Sequence, residues 1–171
     1  MKNCSKKIWL AFAATTVAGA CLHFLYDLRP ALLTALLSPV NESLWEHLKI
    51  LYWPCLIAGA LLARGRREEL APRMAALLLS CAAMLAVGWA YHVLLRGESL
   101  FFDIALYVVL AAVCFFLPCF GNTPLGSGRF FPLALLTALL GAALIVFTFF
   151  PPDNILFFDL SGVWSWVTLP C

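Results

Sequence analysis

The chain has 171 residues and a net charge of +2; 64% of its residues are hydrophobic and 12% are charged, where a soluble domain has roughly 45–50% apolar residues. A soluble fold of this size cannot hide so much apolar surface, which excludes a water-soluble enzyme or nucleic-acid binder, and so small a net charge argues for no polyanionic partner. The composition leaves an all-α integral membrane protein, because only helices and closed barrels satisfy the backbone in lipid and the alternation of barrel strands is absent.

A spanning helix needs about 20 mostly apolar residues. Five stretches meet this, at 8–27, 44–63, 74–95, 101–120 and 131–150, and predict a bundle of five transmembrane helices forming a single membrane domain over 1–171. Span 1 follows the basic pair Lys6-Lys7. Ala18-Gly19-Ala20 before Cys21 also has the pattern of a signal-cleavage or lipidation site, but the apolar run continues through Leu22–Tyr26 and favours an uncleaved helix. The eleven residues 28–38 are apolar but too short to cross, which suits an interfacial or re-entrant helix between spans 1 and 2. Ser43 with Glu46 three residues on reads as a capping box opening span 2, and Trp53-Pro54 predicts a kink that opens space beside His47. Pro72 and Pro132 suit first helical turns, and Pro151-Pro152 stops the last span. Gly59, Gly88 and Gly141 permit close helix approach. The tail 153–171 carries Phe157, Phe158, Trp164 and Trp166, which favour the headgroup level of a surface segment. Five of the seven cysteines fall within spans, where they act as small apolar residues, and no CxxC spacing offers a cysteine zinc site.

Orientation follows from the basic residues. With the N-terminus cytoplasmic, Lys2, Lys6, Lys7, Arg64, Arg66, Arg67, Arg73 and Arg129 lie inside, and only Arg29, Lys49 and Arg96 lie outside. The C-terminus is then outside. Most acidic residues and all three histidines map to the outer side. His23, His47 and His92 each sit about 5–6 Å below the outer boundary, on three different helices.

Ionisable residues at that depth are costly, by about 2.5–3.5 kcal/mol each at the membrane centre and less near the edge, so a cluster there needs a reason. His23 and Asp27 share a helix face, as do Ser43 and His47. Histidine beside carboxylate suits zinc or another divalent metal. His23, His47, His92 and Asp27 are the candidate ligands, with Glu46 as general base and Ser43 as a further catalytic candidate. The bland alternative is that Glu46 and Lys49, three residues apart, simply neutralise each other while Lys49 snorkels outward.

The stretch Asn41-Glu42-Ser43-Leu44-Trp45-Glu46-His47-Leu48-Lys49 resembles the NESxWEHLK signature of a family of small multi-pass bacterial membrane proteins of unassigned function. His23-Phe24-Leu25-Tyr26-Asp27 resembles the same family, as do Thr148–Pro152 with Leu156-Phe157 and Asp159. The resemblance implies a bacterial inner-membrane location and no mechanism; Asp153 stands where that family often has a histidine. A weaker similarity of spacing links Ser43-x3-His47 and His23-x3-Asp27 to alkaline ceramidase-like membrane hydrolases. Three functions are compatible with these residues. The first is a structural role or a membrane-protein partnership, in which Asn41, Glu42, Ser43, Trp45, Glu46 and His47 form a folding motif. The second is a metal-dependent hydrolase acting on a lipid or lipid-linked headgroup. The third is a cation or small-solute binding or transport component.

Overall fold

The computed structural model describes residues 5–120 and 129–160; Trp164, Trp166 and Cys171 of the tail lie outside the described residues. The fold is all-α. In chain order the helices are α1 (Lys6–His23), α2 (Leu25–Leu28), α3 (Leu32–Leu37), α4 (Leu44–Ala63), α5 (Arg67–Trp89), α6 (Leu100–Phe120) and α7 (Phe130–Phe149), with a π-turn Ala90–Leu94 closing α5 and a 3-10 turn at Ile155–Phe157. The α5 segment through Leu94, α6 and α7 are each long and apolar enough to cross a membrane. The two other long helices are α1, which carries Lys6, Lys7 and His23, and α4, which carries Glu46, His47 and Lys49.

Several boundaries differ from the sequence expectation. Span 1 breaks at Phe24 and resumes as α2, which ends at Arg29 because the following Pro30 disfavours helical geometry there. The extended ψ of Ser43 and its side chain, which accepts from Glu46 N at 3.2 Å, start α4 at the expected residue. The capping box is only half formed: Ser43 N donates to Asn41 Oδ1 instead of to Glu46. α5 starts at Arg67, so Pro72 lies inside the helix, not in its first turn. Pro54 sits within a continuous α4. Lacking an N–H, it leaves the Ile50 carbonyl without its helical donor, and that carbonyl faces Gly19 of α1.

α4 and α5 form the centre of the bundle. α4 packs on α1, α5, α6 and α7, and α5 packs on α4, α6 and α7. Leu48, Leu51, Tyr52, Leu77, Phe115 and Leu144 are fully or nearly fully buried between them. Two glycines make notches for tyrosine hydroxyls. Tyr107 reaches past Gly19 to donate to the Thr16 carbonyl at 3.1 Å, and Tyr52 reaches past Gly141 to donate to the Thr137 carbonyl at 2.7 Å. The outer faces of the bundle are apolar; Leu10, Val17, Leu61, Leu117, Leu135 and Leu139 are all exposed. A soluble monomer rarely exposes so continuous an apolar surface.

The up-and-down order of the long helices fixes where charge goes. The C-terminal ends of α1, α5 and α7 and the N-terminal ends of α4 and α6 share one end of the bundle, and this end holds His23, His47, His92 and Asp103. Lys6, Lys7, Arg64, Arg66 and Arg67 gather at the opposite end.

Candidate metal centre

At the histidine end, the link between α3 and α4 lays Glu42 against both α1 and α4. Glu42 Oε2 is 3.2 Å from His47 Nε2, and Glu42 Oε1 is 3.9 Å from His23 Nε2. The two imidazole rings are 5.2 Å apart. One donor atom from each of His23, Glu42 and His47 lies within 4.8 Å of the others.

Hydrogen-bond accounting decides which lone pairs are available. His47 Nδ1 is 2.9 Å from the Ser43 carbonyl. A carbonyl only accepts, so Nδ1 carries a proton; Nε2 then either donates to the Glu42 carboxylate as imidazolium or, in the neutral ring, turns a lone pair toward it. In the neutral ring two acceptors face each other, an arrangement that a cation between them would stabilise. Backbone orientation of the distal nitrogen is also how metal-binding histidines are held. The 3.2 Å separation is close to the roughly 3.3 Å between two ligands of a tetrahedral zinc with bonds of about 2.0–2.1 Å. His23 has Nδ1 buried without a hydrogen-bond partner, so hydrogen bonding does not commit this ring. The hydrogen bond from His47, helped by the positive potential of both imidazoles, holds the Glu42 carboxyl below its ordinary value of 4.5 despite partial burial. Glu42 is therefore ionised and ready to act as a ligand at neutral pH.

The other expected residues go elsewhere. Asp27 lies on α2, separated from His23 by the break at Phe24, and is not part of the three-residue group. His92 is turned by the π-turn and pairs with Asp103 Oδ1 at 2.8 Å through Nε2, while its Nδ1 donates to the Gly97 carbonyl at 2.9 Å. Tyr91 builds that turn, stacking on Phe102 at 3.7 Å and accepting from Ser99 N.

Glu46 does not face the histidines. Its Oε2 accepts from Lys49 Nζ at 2.6 Å and from Val40 N at 3.0 Å, and its Oε1 is 3.1 Å from the Thr148 hydroxyl of α7. Lys49 does not snorkel; it is fully buried and its remaining protons go to the Ala35 and Ser38 carbonyls at 2.7 and 3.3 Å. These carbonyls close α3, where a helix leaves acceptors unpaired. The Glu46 carboxylate, the candidate general base, is thus engaged by Lys49, Val40 and Thr148 and not by the histidines. Ser43 caps α4 and orients His47 through its carbonyl, with its hydroxyl buried and accepting from Glu46 N. Asn41 braces the turn before it. Trp45 packs on Phe147 and Phe157 at 5.4 and 5.1 Å, which holds the chain after α7 against the start of α4.

Two partners escape a reading by helical spacing. Glu42 is five residues from His47 and precedes the helix, and Asp103 is eleven residues from His92 across a turn. Glu42 lies just before α4 and Asp103 in the first turn of α6, so both are acids at helix starts at the end where the histidines cluster, and that is the signal that could have found them.

No curated protein and no solved structure matches the chain. Residues 1–164 match the profile of a family of unknown function, DUF6512, and with nearly the whole length covered the chain belongs to that family.

Proposed function

We propose that this is an integral membrane protein that binds a divalent transition metal, zinc by ligand chemistry, through His23, Glu42 and His47. One observation carries this reading: His23, Glu42 and His47 each bring one donor atom within 4.8 Å of the others, with His47 Nδ1 held by the Ser43 carbonyl so that Nε2 faces the Glu42 carboxylate 3.2 Å away. In the membrane reading α1, α4, α5, α6 and α7 all cross, with the basic end cytoplasmic and the metal site facing out. The resemblance carried by NESxWEHLK supports placing it in a bacterial inner membrane.

The motif serves two purposes in this reading. Glu46 and Lys49 are architecture, while Glu42 and His47 are the site. A second reading, hydrolysis of a lipid or lipid-linked headgroup, is favoured by the ligand count, since three protein ligands leave a fourth position for water. Its proton acceptor would be Asp103 with His92, since Glu46 is committed. Transport is disfavoured because Ser80 and Thr137, buried deeper in the bundle, spend their hydroxyls on the Leu110 and Leu133 carbonyls.

The test is metal content of protein purified in detergent after exposure to zinc. Near-stoichiometric zinc in the parent and its loss in a folded His23→Ala/His47→Ala variant is the expected result. Absence of metal from the parent after such exposure overturns the site, whatever the variant does.

A further inference from the structure

Along one flank, α1 and α4 part to leave a groove of about 690 Å³, within the roughly 300–1,000 Å³ of small-molecule sites. Small and apolar side chains form its walls, among them Ala11, Ala14 and Ala18 of α1 and Ile57, Ala58 and Leu61 of α4. Its lining extends along α1 from Lys7 to beyond Cys21, a distance of about 21 Å at the helical rise. That exceeds the roughly 15 Å depth of one leaflet's hydrocarbon.

The two ends differ in chemistry. α1 and α4 run antiparallel, so Lys7 from the start of α1 and Arg64 from the C-cap of α4 line the same end. Both are exposed, and no acidic residue lines the groove. Of the neighbouring cations, Arg66 pairs with Glu69 at 3.0 Å and Arg67 lies over the Phe130 and Phe131 rings. Among the described residues, Lys7 and Arg64 form no ion pair. An apolar shaft with two cations at its mouth complements one kind of molecule, a chain of hydrocarbon ending in an anion.

We propose that the groove holds an acyl chain of an anionic phospholipid, with the lipid phosphate bound between Lys7 and Arg64. Basic pockets between spanning helices at the cytoplasmic surface recognise such headgroups. The proposal rests on the membrane reading and is independent of the metal site, which lies at the other end of the bundle.

Protein in mild detergent is incubated with equal amounts of phosphatidylglycerol and phosphatidylcholine of matched acyl chains, and retained lipid is counted by native mass spectrometry. One phosphatidylglycerol retained in roughly tenfold preference is expected, with the preference abolished in Lys7→Ala/Arg64→Ala. Ala14→Trp, which fills the shaft, is expected to reduce retention of both lipids. Equal retention of the two lipids, or a preference unchanged in the double variant, overturns the proposal. So does a dimer that Ala14→Trp dissociates, because a second copy is then the occupant. Carbonate washing of membranes separates the failures: protein that stays in the pellet but shows no lipid preference sinks the groove alone, and protein that washes off sinks the membrane reading with it.

Discussion

The Lys49 ammonium and the Glu46 carboxylate meet at 2.6 Å, with the lysine side chain fully buried and the glutamate 4% exposed. Every hydrogen-bonding group of this pair is matched, to the two α3 carbonyls on the lysine side and to Val40 N and Thr148 on the glutamate side. The pair thereby ties α3, the link after it and α7 to the first turns of α4, which are the elements that hold Glu42 and His47 in place.

Removing one member strands the other charge away from water. Glu46→Ala or Lys49→Ala is expected to cost about 3–5 kcal/mol, seen as loss of folded protein in detergent and a lower thermal midpoint. The double replacement Glu46→Leu/Lys49→Met is expected to recover much of that loss, because a matched apolar pair leaves no buried charge. A double variant no better than the singles would show that the hydrogen bonds to α3 and α7 dominate instead.

Metal affinity is expected to fall with acidity. Imidazole must shed its proton to bind metal, so binding weakens as falling pH protonates the histidine ligands, by up to about tenfold per pH unit for each. Glu42, held below its ordinary 4.5, stays ionised across this window and adds no slope there. Zinc titrations between pH 5 and 8 measure the slope; Glu42→Gln is expected to weaken binding throughout.

Glu42 also contributes to folding. Its carboxyl is lowered in the folded state, so the stability it adds is present above its unfolded value of 4.5 and is lost as pH falls through and below that point. Because Glu42 is half exposed, the effect is small. Thermal unfolding of Glu42→Gln against the parent is expected to differ at neutral pH and to converge below about pH 4.

The tyrosine notches give a sharper packing test. A Cβ at Gly141 would lie 2.6 Å from the Tyr52 hydroxyl, so Gly141→Ala is expected to displace that hydroxyl from the Thr137 carbonyl and cost about 1–3 kcal/mol. Tyr52→Phe alone is expected to cost about 1 kcal/mol. The double variant is expected to be more stable than Gly141→Ala by itself, since removing the hydroxyl removes the clash. Strict additivity in a double-mutant cycle would refute the contact.

Much of the helical framework was legible before any tertiary information. Ser43 marked the start of α4, Pro151-Pro152 the stop after α7, and the apolar runs the long helices, because caps, prolines and hydrophobic length act within a few residues of sequence. Spacing also placed His23 and His47 near one end of the bundle. It did not reach the acids that lie against them, since shared-face arguments hold only inside one continuous helix. The break at Phe24 takes Asp27 away from His23, and the π-turn at Ala90–Leu94 gives His92 to Asp103.

What the sequence by itself determined is the class of molecule: an all-α chain with long apolar helices, its histidines and most of its acids gathered at one end and most of its bases at the other. These are consequences of composition and of helices that alternate in direction. Only the tertiary structure decided which carboxylate serves which purpose. Glu42 and Glu46 are one helical turn apart in the same motif, yet one meets two histidines and the other a buried lysine. The link between α3 and α4 folds over the start of α4, and the close packing of α1 and α7 against that end selects the partner of each.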